Sequence, residues 1–138
     1  MSPPPVRIAG YQGKASINTA ALQDLAHALG SGGFGATVQF QADVTADGES
    51  AASLFASLEQ GGREIAYMAS GYLSHRVPEL GILELPFAVQ DREAALRTLD
   101  GELGRVLGAA ITRATGLQVL AFWDNGFRHV SNALHPIR

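Results

Sequence analysis

Short strand-like segments alternate with longer stretches of helical period along this chain, and that alternation restricts it to an α/β fold. Val6-Arg7-Ile8-Ala9-Gly10-Tyr11, behind three prolines, alternates apolar and small residues and reads as a first strand. Ser16 caps the helix that follows, in which Ile17, Ala21, Leu22, Leu25 and Leu29 share one face and Gly30 is the stop. Residues 36–42 alternate again, with Val38 and Phe40 on one face, as a second strand. Asp47-Gly48-Glu49-Ser50 is turn chemistry leading into a helix with Leu54, Phe55 and Leu58 inward, ended at Gly61 and Gly62. Ile65 to Met68 reads as a third strand. Pro78 opens a brief helical turn, and Leu83-Glu84-Leu85-Pro86-Phe87 is an apolar elbow broken by its proline. From Asp91 two helices follow, the second carrying Leu103, Val106, Leu107, Ala110, Ile111 and Ala114 and stopping at Gly116. Leu117 to Trp123 is apolar at nearly every position, which predicts a parallel strand covered on both faces. The expectation is a mostly parallel sheet with helices on both faces and right-handed crossovers.

A chain of 138 residues, 46% of them hydrophobic, supports one domain with a core of its own. Ten Lys and Arg against thirteen Asp and Glu leave a net charge of −3, with no basic stripe to neutralise phosphates. Nucleic acid is therefore not an expected partner, and neither is an anionic membrane surface. The chain has no cysteine, which excludes a disulfide scaffold, a thiolate metal site and a cysteine nucleophile. No apolar run approaches the length of a membrane span. Met1-Ser2-Pro3-Pro4-Pro5 lacks the basic and apolar regions of a signal peptide and reads as an initiator on an already trimmed chain.

In a parallel α/β sheet the ligand crevice lies beyond the carboxyl ends of the strands. Tyr11 and Gln12, Asp43, Ser70 and Gly71, and Asp124 to Arg128 are expected to gather on that rim. The glycine-rich run from Gly30 to Gly35 follows a helix and precedes a strand, the reverse of a dinucleotide fingerprint, and so reads as a connecting loop. His27, His75, His129 and His135 show no metal-ligand spacing, and no metal or cofactor is implied. Ser70 lacks the paired glycines of a nucleophile elbow and reads as a polar lining residue. Asp43, Asp47, Glu49 and Asp124 read as turn and capping residues, and nothing in their spacing pairs two of them with a base or a metal. Two readings of Trp123-Asp124-Asn125-Gly126-Phe127-Arg128 stay open. It is either a strand-exit loop with Arg128 on the surface, or a ligand segment in which aromatic walls flank a guanidinium suited to a carboxylate.

That segment, continued by His129, Ser131-Asn132 and Pro136-Ile137, resembles a hallmark stretch of the solute receptors of tripartite ATP-independent periplasmic (TRAP) transporters, DctP type. Leu85-Pro86-Phe87 after Val77-Pro78-Glu79 is similar to a second family motif, and the resemblance runs from Val6 to the last residue. It implies a non-enzymatic periplasmic receptor of two α/β lobes, type II-like, that closes on an organic acid and delivers it to membrane permease subunits. It implies that residues 1–138 are the amino-terminal lobe and that 125–138 begin the crossover to a second lobe. It also implies ligand contacts from Tyr11, Gln12, Ser70, Phe87, Asn125 and Arg128, with Arg128 an auxiliary carboxylate contact. On this reading the lobe is incomplete: ligand binding is weak or absent, and an open sheet edge or the terminal segment invites pairing with a second copy. The competing expectation is a self-contained ligand-sensing or interaction domain.

Overall fold

Three parallel strands, β1 (Val6–Ala9), β2 (Val38–Gln41) and β3 (Ile65–Ala66), form a sheet in the order β2-β1-β3. The computed structural model describes residues 3–32, 34–127, 131 and 133–134 of the chain. In the central strand Ile8 stands opposite both Phe40 and Ile65. Helix α1 (Ile17–Ser31) connects β1 to β2, and α2 (Ala51–Glu59) connects β2 to β3. Beyond the sheet come 3-10 turns at Ser70–Tyr72 and Pro78–Glu84, then α3 (Arg92–Leu99) and α4 (Glu102–Thr115).

Successive strand residues point to opposite faces, and the middle strand uses both. Ile8 packs with Leu22 and Ala26 of α1, whereas Ala9 packs with Leu54 of α2 and with Val44. Both strand residues are 1% exposed, so helices cover the two faces of β1, as the alternation of elements predicted. A further cluster joins Leu73, Val77 and Leu80 to Leu107, Ala110 and Ile111 of α4. Arg76 ties that cluster to α2. Its guanidinium donates to Glu59 at 2.8 Å and to the Ala114 carbonyl at 3.0 Å, and lies 5.3 Å from the Phe55 ring centroid.

Three details depart from the sequence reading. The strands are shorter: β1 stops at Ala9, with Tyr11 in an isolated bridge to Asp43, and β3 is two residues long. Helix α1 is turned by about one residue, so that Asn18 and Thr19 are buried while Ile17 is 79% exposed. Leu117 to Trp123 forms no strand among the described residues. The segment lies along the cluster around Leu80 and Leu107, Val119 and Phe122 inward, and leaves Leu120 72% exposed. A continuous apolar run does not supply the neighbouring strand that a ladder requires.

One ion pair fastens β1 to the residue that leads into β3. Glu64 accepts from the Arg7 main-chain N–H at 2.6 Å and from its guanidinium at 2.6 and 3.1 Å, while the same guanidinium donates to the Gly61 carbonyl at 2.7 Å. The Arg7 hydrogen bonds hold the Glu64 carboxyl at about 2, against its ordinary 4.5. A depressed folded-state pKa stabilises the fold above the unfolded value and is lost as pH falls through the folded one. Urea midpoints should therefore drop between about pH 4.5 and pH 2, and Glu64→Gln should flatten part of that slope. The effect is small, because both side chains are two-fifths exposed and water screens the pair. Identical pH profiles for the two proteins would contradict the assignment.

Candidate functional site

Strand order places the candidate site. The chain leaves β1 toward β2 on one side and later returns to β3 on the other, so the switch lies between β1 and β3, where α/β sheets bind ligands. The residues just past the carboxyl ends of these strands are Gly10-Tyr11-Gln12 and Tyr67-Met68-Ala69-Ser70. Tyr11 and Tyr67 meet there with ring centroids 5.2 Å apart, and Tyr72 and Trp123 extend the contact at either end.

Two features set the rings in place. A side chain on Gly10 would put its Cβ 2.8 Å from the Tyr67 ring, so the absence of one lets Tyr67 lie across the end of β1. The hydroxyls then lock both inner rings. Tyr11 accepts from the Ala69 N–H at 3.1 Å, and the Tyr67 hydroxyl shares a 2.9 Å hydrogen bond with Thr19. Burial raises the Tyr11 phenol above its ordinary pKa, so it stays neutral at physiological pH.

Beside the rings is a set of amides. Asn18 donates to Gln12 Oε1 and to Asn125 Oδ1, each at 3.1 Å, and Ser16 Oγ donates to the same Gln12 oxygen at 2.8 Å. The Asn18–Asn125 bond links the first turn of α1 to a segment 107 residues further along the chain. Asp124 braces that segment. Its carboxylate accepts from the Gly126 N–H at 2.6 Å and from Arg92 at the start of α3, and these two bonds, the main-chain one first, depress its pKa. Helices α1 and α3 thus fix the residues on which Asn125 sits.

Of the residues expected from sequence, Tyr11, Gln12 and Asn125 come together. Ser70 stands one residue from Gly71 and two from Tyr72, and its hydroxyl donates to Glu84 at 3.1 Å. Phe87 is elsewhere: 91% exposed, with a left-handed φ of 59°, it is not among the rings in contact with Tyr11, Tyr67 or Trp123. Such a backbone at a bulky residue is uncommon. Arg128 lies outside the described residues. Sequence reasoning missed Asn18, Thr19, Tyr67 and Tyr72. The available signal was the polar Asn18-Thr19 pair in the first turn of an otherwise apolar helix face. A shallow recess of about 340 Å³ lies away from this rim, lined by Arg7, Gln39, Gln41 and Arg63 among others. Its arginines are already engaged, Arg7 by Glu64 and Arg63 by Glu49 and Gln41.

A parallel sheet with rings and amides gathered over its carboxyl ends is the pattern of α/β ligand-binding lobes. Within that class the chain belongs to the bacterial extracellular solute-binding proteins, family 7 (DctP), whose family model matches residues 21–138. A solute-binding protein of Verminephrobacter eiseniae is 36% identical over 84 residues, which is 59% of this chain and 24% of that protein. The 2,3-diketo-L-gulonate-binding periplasmic protein of Escherichia coli is 41% identical over 61 residues, 44% of this chain and 18% of that one. Among solved structures, a TRAP periplasmic solute-binding protein of Ochrobactrum anthropi, with its C-terminus bound in the ligand-binding pocket, superimposes with a TM-score of 0.83 at 27% identity. That match covers 96% of this chain and 41% of that one. The chain spans about a quarter or less of the length of these two curated relatives.

Proposed function

We propose that residues 1–138 form the amino-terminal lobe of a periplasmic receptor that captures an organic acid and delivers it to a TRAP membrane permease. The observation that carries this reading is the meeting of Tyr11, Gln12 and Asn125 at the β1–β3 switch, with Asn125 held in place by Asn18. Residues far apart in sequence are brought to the point where such a sheet binds its ligand, and each is held by a hydrogen bond within the chain. A carboxylate as the ligand's head group is supported by two relatives. Diketogulonate, bound by the Escherichia coli protein, is a sugar-acid anion, and the terminus bound in the Ochrobactrum anthropi pocket ends in a carboxylate. In this reading Asn125 and Arg128 contact the carboxylate, Tyr11, Gln12 and Ser70 line the cleft, and the second lobe closes over them.

Calorimetry tests the assignment of Arg128. Titrated with monocarboxylates and dicarboxylates, the complete receptor carrying Arg128→Ala should bind more weakly by roughly 1.5–3 kcal/mol, the range for a hydrogen bond to a charged group. An unchanged affinity would leave Arg128 without a part in the site.

A further inference from the structure

We propose that the row of rings selects a carboxylate whose body is a flat ring, with Tyr67, Tyr72 and Trp123, beside Tyr11, as the residues that set this preference. The inference rests on the receptor reading above and deepens it. Tyr72, Tyr11, Tyr67 and Trp123 follow one another at centroid separations of 6.0, 5.2 and 6.1 Å. These are the separations at which aromatic rings attract. The row crosses the carboxyl end of β1, where Gly10 lets the Tyr67 ring approach, so it stands at the ligand rim. The two inner hydroxyls are committed to Ala69 and Thr19. Held in this way, the two residues offer a ligand ring surface, and the Tyr11 phenol, an acceptor in its bond to Ala69, keeps its own proton to donate. At the ends of the row Tyr72 is 48% and Trp123 43% exposed, so aromatic surface faces outward.

Polar groups adjoin the row, Gln12 next to Tyr11 and Asn125 close after Trp123. Gln12, Asn18 and Asn125 form their own hydrogen-bonded set, and Asn125 stands two residues after Trp123. A ligand spanning both regions is amphiphilic, with a charged end at the amides and a flat apolar body against the rings. A short linear dicarboxylate has two charged ends and no flat face, and losing water from the second carboxylate against ring surface is costly. A benzoate-like anion places its single charge at the amides and its ring on the row.

Trp123 is the only tryptophan of the chain, so tryptophan emission reports from the row itself. The protein is titrated separately with benzoate, succinate and uncharged benzamide, followed by Trp123 fluorescence and by saturation-transfer NMR, which also registers weak binding. Benzoate should bind about tenfold more tightly than succinate, a ratio that ring contacts of this kind can supply. Tyr72→Ala should remove that ratio while leaving the far-ultraviolet spectrum and thermal midpoint near those of the parent. Succinate binding as tightly as benzoate would overturn the ring preference and leave the carboxylate reading standing. Benzamide equal to benzoate, both ahead of succinate, would do the reverse. No response to any of the three would overturn the ring preference, and an intact preference in Tyr72→Ala would overturn the assignment to the row.

Discussion

Gly104→Ala destabilises the chain by about 2 kcal/mol, within the range for overpacking, although the same exchange in an open helix interior is favourable. Gly104 is buried in the first turn of α4, facing the end of α3. A Cβ there would stand 1.8 Å from the Leu99 carbonyl oxygen and 2.9 Å from its carbon. Both atoms are backbone, so no side chain can swing aside, and α3 must move relative to α4. That displacement loosens Leu99 and Leu103, which pack on the cluster around Leu80 and Leu107. Gly108, one turn further along α4, supplies the control. Its Cβ would meet Val119 Cβ at 3.7 Å, an ordinary contact. Gly108→Ala should therefore gain up to about 1 kcal/mol from helix propensity. Urea unfolding of the two variants beside the parent reads both signs, and a gain in both would show that the α3–α4 approach yields freely.

The periodicity of the sequence made the order of elements legible because it reports which side of an element is apolar, a property local to that element. Leu22, Val38, Phe40, Leu54 and Leu107 all pack inward, as their spacing required. The reading failed where burial depended on partners elsewhere in the chain. Ile17 looked like the first inward residue of α1, yet the helix begins at a polar rim where Asn18 finds Gln12 and Asn125, and Thr19 finds Tyr67. Those bonds make burial of two polar side chains affordable, and Ile17 is left outside. The same dependence hid most of the candidate site. Tyr67 read only as a residue of the third strand, because its contact with Tyr11 needs β1 and β3 side by side, and that adjacency is a fact of strand order. Leu117 to Trp123 shows the converse. Its apolar character was legible, but only the folded chain shows that it lies against α4 with no strand beside it among the described residues.

Leu54→Ala should cost about 3 kcal/mol, in the range for a fully buried leucine, and should disturb the candidate site with it. Leu54 is fully buried and packs from α2 against Ala9 and Val44, on the face of β1 opposite α1. Tyr11 rests against this same group, so a cavity at Leu54 removes support from beneath one of the two inner rings. The loss combines the transfer free energy of the missing methyl groups with the contacts forfeited around the space they leave. Near-ultraviolet circular dichroism should report the second effect, because Tyr11 is in ring contact with both Tyr67 and Tyr72 and its loosening alters their asymmetric environment. Leu120→Ala is the matching exposed substitution. At 72% exposure its loss should shift stability by no more than about 0.5 kcal/mol and leave the aromatic signal unchanged. If Leu54→Ala lowers the urea midpoint but preserves the aromatic spectrum, the ring row is held by its hydroxyl bonds to Ala69 and Thr19 alone. If both fall together, the core on the α2 face of β1 is part of what keeps the rim in shape.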